Sequence, residues 1–324
     1  MTELLPLAVS FDAFTSLGFW TSVGVFAGTY TIFALGLQLN VGFTGIFNFG
    51  QAGFMAIGAY AMAILVVDHG VSFWLAMPIA ILITMAFGLL VGLPSLRLRA
   101  DYFAIATIAA SEAVRLTALN ARELTGGAQG IFGFGSDWDD VSDTIDGWLQ
   151  TLGWSDPETL FPLLIVVWAV AILLMFVLTR LQRTPWGRVL RAVREDEDAA
   201  RALGKNAFSY KLQSLAISAA LGAIAGFFLA INLAFVIPDE FLPTFTFLGY
   251  AVLVLGGLAS YWGVAVGALI LQIVLEGLRF LDLPLSGTKI AALRFIILGL
   301  VLIGLMAFRP QGMFGKREEM VLGD

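Results

Sequence analysis

The chain has no cysteine and a single histidine, His69, among its 324 residues. Disulfides and thiolate metal sites are thereby excluded, and an imidazole-based metal cluster is not expected. Charge is scarce too: 13% of residues are charged and the net charge is -6, which argues against nucleic acid as a partner. No basic n-region precedes the first long apolar run in MTELLPLAVSFDAF, so a cleaved signal peptide is not expected. What is abundant is apolar sequence, with 59% hydrophobic residues and a mean hydropathy of +0.90. Runs near the roughly 20 residues needed to cross about 30 Å of hydrocarbon recur along the chain. The implied fold class is an all-α polytopic membrane protein, a single transmembrane domain over residues 1–324.

Apolar segments are read at 17–39, 51–67, 72–96, 102–119, 160–179, 212–231, 244–258, 263–280 and 289–308. The run 244–258 is short for a crossing and reads as re-entrant or broken. The expectation is a bundle of about 8–10 transmembrane helices, some broken. Lys and Arg collect in cytoplasmic loops. The loop 180–211 carries Arg180, Arg183, Arg188, Arg191, Arg194, Arg201, Lys205 and Lys211 and is placed inside. The loop 120–159 carries Asp137, Asp139, Asp140, Asp143, Asp146, Asp156 and Glu158 against Arg122 and is placed outside. Alternation then puts Arg97, Arg99 and the tail 309–324 inside, and Asp68, His69, Asp239, Glu240 and the N-terminus outside.

The stretch VGFTGIFNFGQAGFMAIGAY, residues 41–60, sets glycines, Thr44, Asn48 and Gln51 into an apolar run. Helix-breaking residues at membrane depth require burial in protein or a water-lined cavity. Residues 41–50 therefore read as a broken lead-in to the second span. Two roles stay open for Asn48 and Gln51: bracing that backbone, or facing a polar path. After it, Ala52, Ala56, Ala59 and Ala63 lie on one helix face, and Gly263 and Gly267 form a G-x-x-x-G, both suited to close helix packing. Glu112 with Arg115, and Glu276 with Arg279, are spaced for local pairing inside spans; passage of a solute is the alternative role. Asp101 reads as a helix N-terminal cap.

In the cytoplasmic loop, VREDEDAARALGKN (193–206) predicts a short helix over Glu195–Leu203 stopped by Gly204. D-A-A-R-A-L-G resembles the E-A-A-x-x-x-G coupling loop of ABC importer permeases, with Asp198 in place of Glu. In that resemblance Ala199 and Ala200 are small because a partner ATPase lies against them. Neither Gly-Lys pair continues as a Walker A loop, since Gly204-Lys205 is followed by Asn206 and Gly315-Lys316 by Arg317. ATP and Mg are therefore expected on a separate ATPase, with no catalytic residue, cofactor or metal on this chain.

From about residue 30 to 315 the sequence resembles the permease subunits of bacterial and archaeal branched-chain amino acid ABC importers and their urea and short-amide relatives. The resemblance is carried by Gly42, Thr44, Gly45, Gly50, Gln51, Ala52, Phe54, Gly58, Ala59 and Tyr60. Leu98, Arg99, Asp101, Tyr102, Phe103 and Ala104 continue it, then Thr125, Gly126, Gly127, Gly130 and Ile131, then Arg194, Glu195, Ala199, Ala200 and Gly204, and Phe308, Arg309, Pro310, Gly312 and Gly315. Gln51 departs from the pattern, since many members carry His there.

The resemblance implies a multi-pass permease of the plasma (inner) membrane that imports leucine, isoleucine and valine. Its implied partners are a homologous or identical permease, two cytoplasmic ABC ATPases and an extracytoplasmic solute-binding protein. The translocation path is assigned to Thr44, Asn48, Gln51 and Glu112, and ATPase coupling to Arg194, Glu195, Asp198, Ala199, Ala200 and Gly204. A urea or short-amide importer is the alternative within the family, and an ion-coupled secondary transporter using Glu112 the alternative outside it.

Overall fold

Ser16 opens the first helix by accepting the Phe19 amide, and α1 (Leu17–Leu37) then runs through the middle of the bundle. Its Thr29 and Thr31 hydroxyls donate to carbonyls one turn back, at Val25 and Ala27, so neither hydroxyl is left unpaired in the apolar core. With its continuation to Thr44, α1 buries 89% of its most apolar stretch, and α10 (Ala207–Leu233) buries 78%. By contrast α3 (Phe73–Ser95), α4 (Ala100–Asn120) and α7 (Phe161–Gln182) bury only 22–33% and turn Leu90, Ile105 and Phe176 outward. These form the shell that faces lipid. The computed structural model describes residues 16–153, 160–280, 287–308 and 312–314.

Every expected apolar segment is helical, the others being α2 (Gln51–Val67), α11 (Pro243–Gly256), α12 (Tyr261–Phe280) and α13 (Gly287–Phe308). Among the described residues five stretches are long and apolar enough to cross alone, or up to six if α11 and α12 count as one broken span. Those two are bent by 115° at their junction, and α2 and Ala292–Gly304 are shorter apolar helices. Against the 8–10 transmembrane helices expected, the described residues hold five full-length spans, one bent pair and two shorter apolar helices.

Small residues set the central packing. Ala52, Ala56, Ala59 and Ala63 are buried, but a glycine lets α2 approach α10 closely at Gly58, where an added Cβ would overlap Ala223, 2.6 Å from its Cβ. Gly263 and Gly267 lie against the backbone of α11 at Gly256 and Val252, which is the packing the G-x-x-x-G predicts. The junction of α11 and α12 is held by the segment after α13, where Met313 N donates to Leu255 O at 3.2 Å and Phe314 N to Gly256 O at 3.0 Å.

The loops gather at two ends. At one, the 120–159 loop holds more structure than its composition suggests: α5 (Arg122–Thr125), β1 (Ile131–Phe132) and the acidic α6 (Ser136–Thr151). β1 pairs antiparallel with β2 (Phe235–Val236), Ile131 opposite Val236, and Asp137 accepts the Phe73 amide at 3.0 Å, capping α3. At the other end residues 44–47, 96–100 and 193–211 wall a common cleft. Asp101 sits in the first turn of α4 and Arg99 holds the cap position, so the acid acts on the helix dipole and not as a side-chain cap. The N-terminus, Asp156, Glu158, the Arg279 side chain, Arg309, Pro310, Gly315, Lys316 and Arg317 lie outside the described residues, and with them the Glu276–Arg279 pairing.

Candidate functional site

At Gln38 the α-helical ladder of α1 widens into a π-helical turn, Gln38–Thr44, closed by Gly45 in the left-handed region at φ 74°. Such turns insert a residue and re-aim side chains. The expected break at 41–50 is therefore narrower: residues 41–44 are wound, and the irregular backbone is 45–50. The Thr44 hydroxyl explains the difference, because it lies within hydrogen-bond distance of Leu39 O, five residues back, and of Ser214 Oγ on α10.

A chain of hydrogen bonds then satisfies the groups this break frees. Asn48 Oδ1 accepts the Gly50 amide at 2.8 Å, and its Nδ2 donates to Gln51 Oε1 at 3.2 Å. Gln51 Nε2 donates to Ser218 O at 3.0 Å, and Ser218 Oγ donates back to Gln51 Oε1 at 2.8 Å. Tyr250 OH donates to Asn48 O at 2.8 Å, and Thr107 and Thr246 accept the amides of Phe49 and Ala52. Ser214 donates to Asn40 Oδ1 at 3.0 Å. Thr44, Asn48, Gln51, Ser214 and Ser218 are at most 1% exposed. Of the two roles left open for Asn48 and Gln51, this conformation displays the brace, tying the start of α2 to α10 and α11. The partners Ser214 and Ser218 were missed. Their signal was a pair of serines four apart on the inner face of an apolar helix.

Gln38 extends the chain to the α11–α12 junction. With its amide oxygen turned to the backbone, it accepts from Ala259 N at 2.5 Å and Ser260 N at 2.7 Å. Glu112 is not part of this assembly. It pairs with Arg115 at 2.5 Å, and Arg115 reaches Asp239 at 3.5 Å, so the carboxylate is neutralised at the end of the bundle that carries the acidic loops. A cavity of about 550 Å³ between α2, α3 and α4 is lined by groups such as Ile57, Phe87, Val114 and Leu124, with no ionisable side chain except Tyr60. Its lining holds the hydroxyls of Tyr60, Thr117 and Thr125 but no charged group to pair with either end of a zwitterion.

The basic loop is two helices, not one. α8 (Pro185–Glu195) ends at Asp196, whose side chain caps α9 (Glu197–Ala202) by accepting the Ala199 amide at 2.9 Å. The expected helix over Glu195–Leu203 breaks there because a capping Asp takes extended backbone, at φ -152°. Glu195 closes α8. Gly204, at φ 76°, turns the chain after α9 as expected. Ala200 faces inward, 3% exposed and packed with Val193 and Ala207, so its small size is explained within this chain. Asp198, Ala199 and Leu203 face outward, Leu203 being 80% exposed. Arg194 joins the two regions: its Nη1 donates to Gly42 O in the π-turn, and its stem lies so close to Gly45 that an added Cβ would sit 3.2 Å from Arg194 Cγ.

Residues 20–306 match the family described as branched-chain amino acid transport system / permease component. The high-affinity branched-chain amino acid transport system permease protein LivM of Escherichia coli (strain K12) is 35% identical over 97% of this chain and 74% of its own length. Its counterpart of the same name from Salmonella typhimurium (strain LT2) is 34% identical over the same shares. The probable branched-chain amino acid transport permease protein LivM of Methanocaldococcus jannaschii is 27% identical over 90% of this chain and 91% of its own. No solved structure matches the chain. The match over residues 20–306, with 35% identity over 97% of the chain to a relative of the same description, places the protein in the branched-chain amino acid transport permease family.

Proposed function

We propose that the protein is the transmembrane subunit of an ATP-driven importer that takes up leucine, isoleucine and valine handed over by an extracytoplasmic binding protein. Two cytoplasmic ATPases hold ATP and Mg, and a homologous or identical permease completes the path. The carrying observation is the bond from Arg194 to Gly42 O, through which a movement of α8 and α9 is delivered directly to the π-turn. The relatives' names supply the solute class. In the plasma (inner) membrane the C-terminus is cytoplasmic and the N-terminus outside. Supporting this orientation, the basic loops 96–100 and 180–211 meet at one end, and Asp137, Asp239 and their neighbours at the other. An ion-coupled mechanism through Glu112 is disfavoured by its pairing with Arg115.

The outward face of α9, with Leu203 beside Ala199 and Ala202, is the ATPase contact in this reading. An exposed leucine among small residues fits a partner's groove. Leu203→Asp should insert normally and keep its fold, while ATPase recovered with the purified permease and leucine uptake in proteoliposomes fall about tenfold or more, as at an interface hot spot. Undiminished recovery and uptake would remove the contact from α9. Titrating the cognate binding protein with leucine and with urea decides the solute, since tighter binding of urea overturns the amino acid assignment.

A further inference from the structure

Where α3 ends at Ser95 and α4 begins at Ala100, the chain forms a cleft of about 560 Å³. Arg97, Arg99, Arg194, Arg201 and Lys211 line it, with Glu197 as the carboxylate among them. Glu197 is already shared between Arg201 at 2.6 Å and Lys211 at 2.5 Å, and Arg194 is bonded to Gly42 O. Arg97 stacks on Phe208, its guanidinium 5.8 Å from the ring centre. Among the described residues neither Arg97 nor Arg99 has a carboxylate within ion-pair distance. Asp198 also reaches Arg201, at 3.6 Å, so among the described residues the excess positive charge of the cleft lies chiefly at Arg97 and Arg99. α4 also starts there without a side-chain cap, with Asp101 in its first turn the only acid on that end of the helix.

The rest of the lining is hydrocarbon. Ile46 and Phe103 are buried in the wall, while Phe47 and Leu98 stand half exposed at the mouth. Beyond the mouth run the outward faces of α3 and α4, with Leu90, Tyr102 and Ile105. A preference for positive charge on one side of the membrane is met by basic residues anywhere in its loops. It does not require cations from separate segments, near residues 97, 194, 201 and 211, to converge on one cleft with an apolar margin. We propose that the cleft binds the phosphate headgroup of an anionic phospholipid, its glycerol at Phe47 and Leu98 and its acyl chains along α3 and α4. A soluble phosphate would satisfy the cations and leave the margin without a purpose. The headgroup would bridge the irregular segment after the π-turn, the α3–α4 turn and the α8–α9 loop, so the lipid would stiffen the joint that carries motion between them. The binding needs only the membrane position of these helix ends; the stiffening of the joint rests on the importer reading.

The test uses the full-length permease purified in neutral detergent and followed by native mass spectrometry, with dioleoyl phosphatidylglycerol or dioleoyl phosphatidylcholine added at equal concentration. Retained phosphatidylglycerol should exceed phosphatidylcholine about tenfold, and Arg97→Gln with Arg99→Gln should bring it down to the phosphatidylcholine level. Should the double variant fail to fold, Leu98→Glu, at an exposed position, sets a carboxylate at the mouth and should have the same effect. Equal retention of the two lipids, or undiminished phosphatidylglycerol in a folded variant, overturns the proposal. So does displacement of the lipid by inorganic phosphate at millimolar concentration, which would assign a soluble-anion site. Loss of ATPase recovery in the variants with lipid retention intact overturns it in favour of a protein contact.

Discussion

Gly58→Leu will prevent the chain from reaching a stable fold. An added Cβ overlaps the Cα of Ala223, and one turn away on the facing helix Gly226 is held against Met55 O. Backbone meets backbone at both points, so no side chain can rotate aside. The helices α2 and α10 must part, and the hydrogen bonds from Gln51 to Ser218, two turns along the same contact, stretch with them. Overpacking costs about 1–3 kcal/mol and each buried bond left unmade roughly 1–3 more, which together approach the whole stability of a small domain. Yield and monodispersity after detergent extraction report the outcome. Gly147→Leu, where an added Cβ meets nothing within 4 Å, is the control and should extract like the parent. A monodisperse Gly58→Leu protein with parental melting would contradict the α2–α10 contact.

Gln51→Leu keeps the size of the side chain and removes its hydrogen bonding. The hydroxyl of Ser218 and the Nδ2 of Asn48, both buried, lose their acceptor at once, while the Ser218 carbonyl falls back on its bond within α10 alone. At about 1–3 kcal/mol for each buried group left unpaired, the lead-in to α2 loses several kcal/mol of support. Uptake should fall more than tenfold while the spans still insert. Gln51→His is the informative companion. An imidazole offers one donor and one acceptor, enough to meet Ser218 O and the Ser218 hydroxyl, so uptake should stay within a few-fold of the parent. If leucine and histidine behave alike, the bonds to Ser218 are not what position 51 supplies.

Hydropathy alone placed the spans closely: 72–96 was expected where α3 runs Phe73–Ser95, and 51–67 matches α2. Lipid enforces this agreement, because a backbone crossing hydrocarbon must be helical and its apolar length sets its ends. The π-turn had no comparable signal. Nothing in QLNVGFT distinguishes a wide turn from an ordinary one; the difference lies in Thr44 finding Leu39 O and Ser214. Asn48 and Gln51 were visible as amides in an apolar run, but Ser218 and Tyr250 lie far along the chain and no local pattern points to them. Arg194 stood out by resemblance as part of a coupling loop, whereas its bond to Gly42 depends on how α8 packs beneath the π-turn. The acidic loop was read by charge alone, so its pairing of Ile131 with Val236 across distant sequence was out of reach.

The position of α1 has a consequence for how the protein is made. Among the described helices the one at the centre is made before the others, and the partner that covers much of it, α10, ends only at Leu233. At 5–20 residues per second, translation from Leu37 to Leu233 takes about 10–40 s. Through that interval the face that will later meet α10 and α12 has lipid or the insertion machinery as its neighbour. The hydroxyls of Thr29 and Thr31, already bonded to their own helix, need no partner from α10 while it waits there. Assembly of the centre is therefore post-insertional: the bundle closes around a helix that has been standing in the membrane since well before α10 was complete.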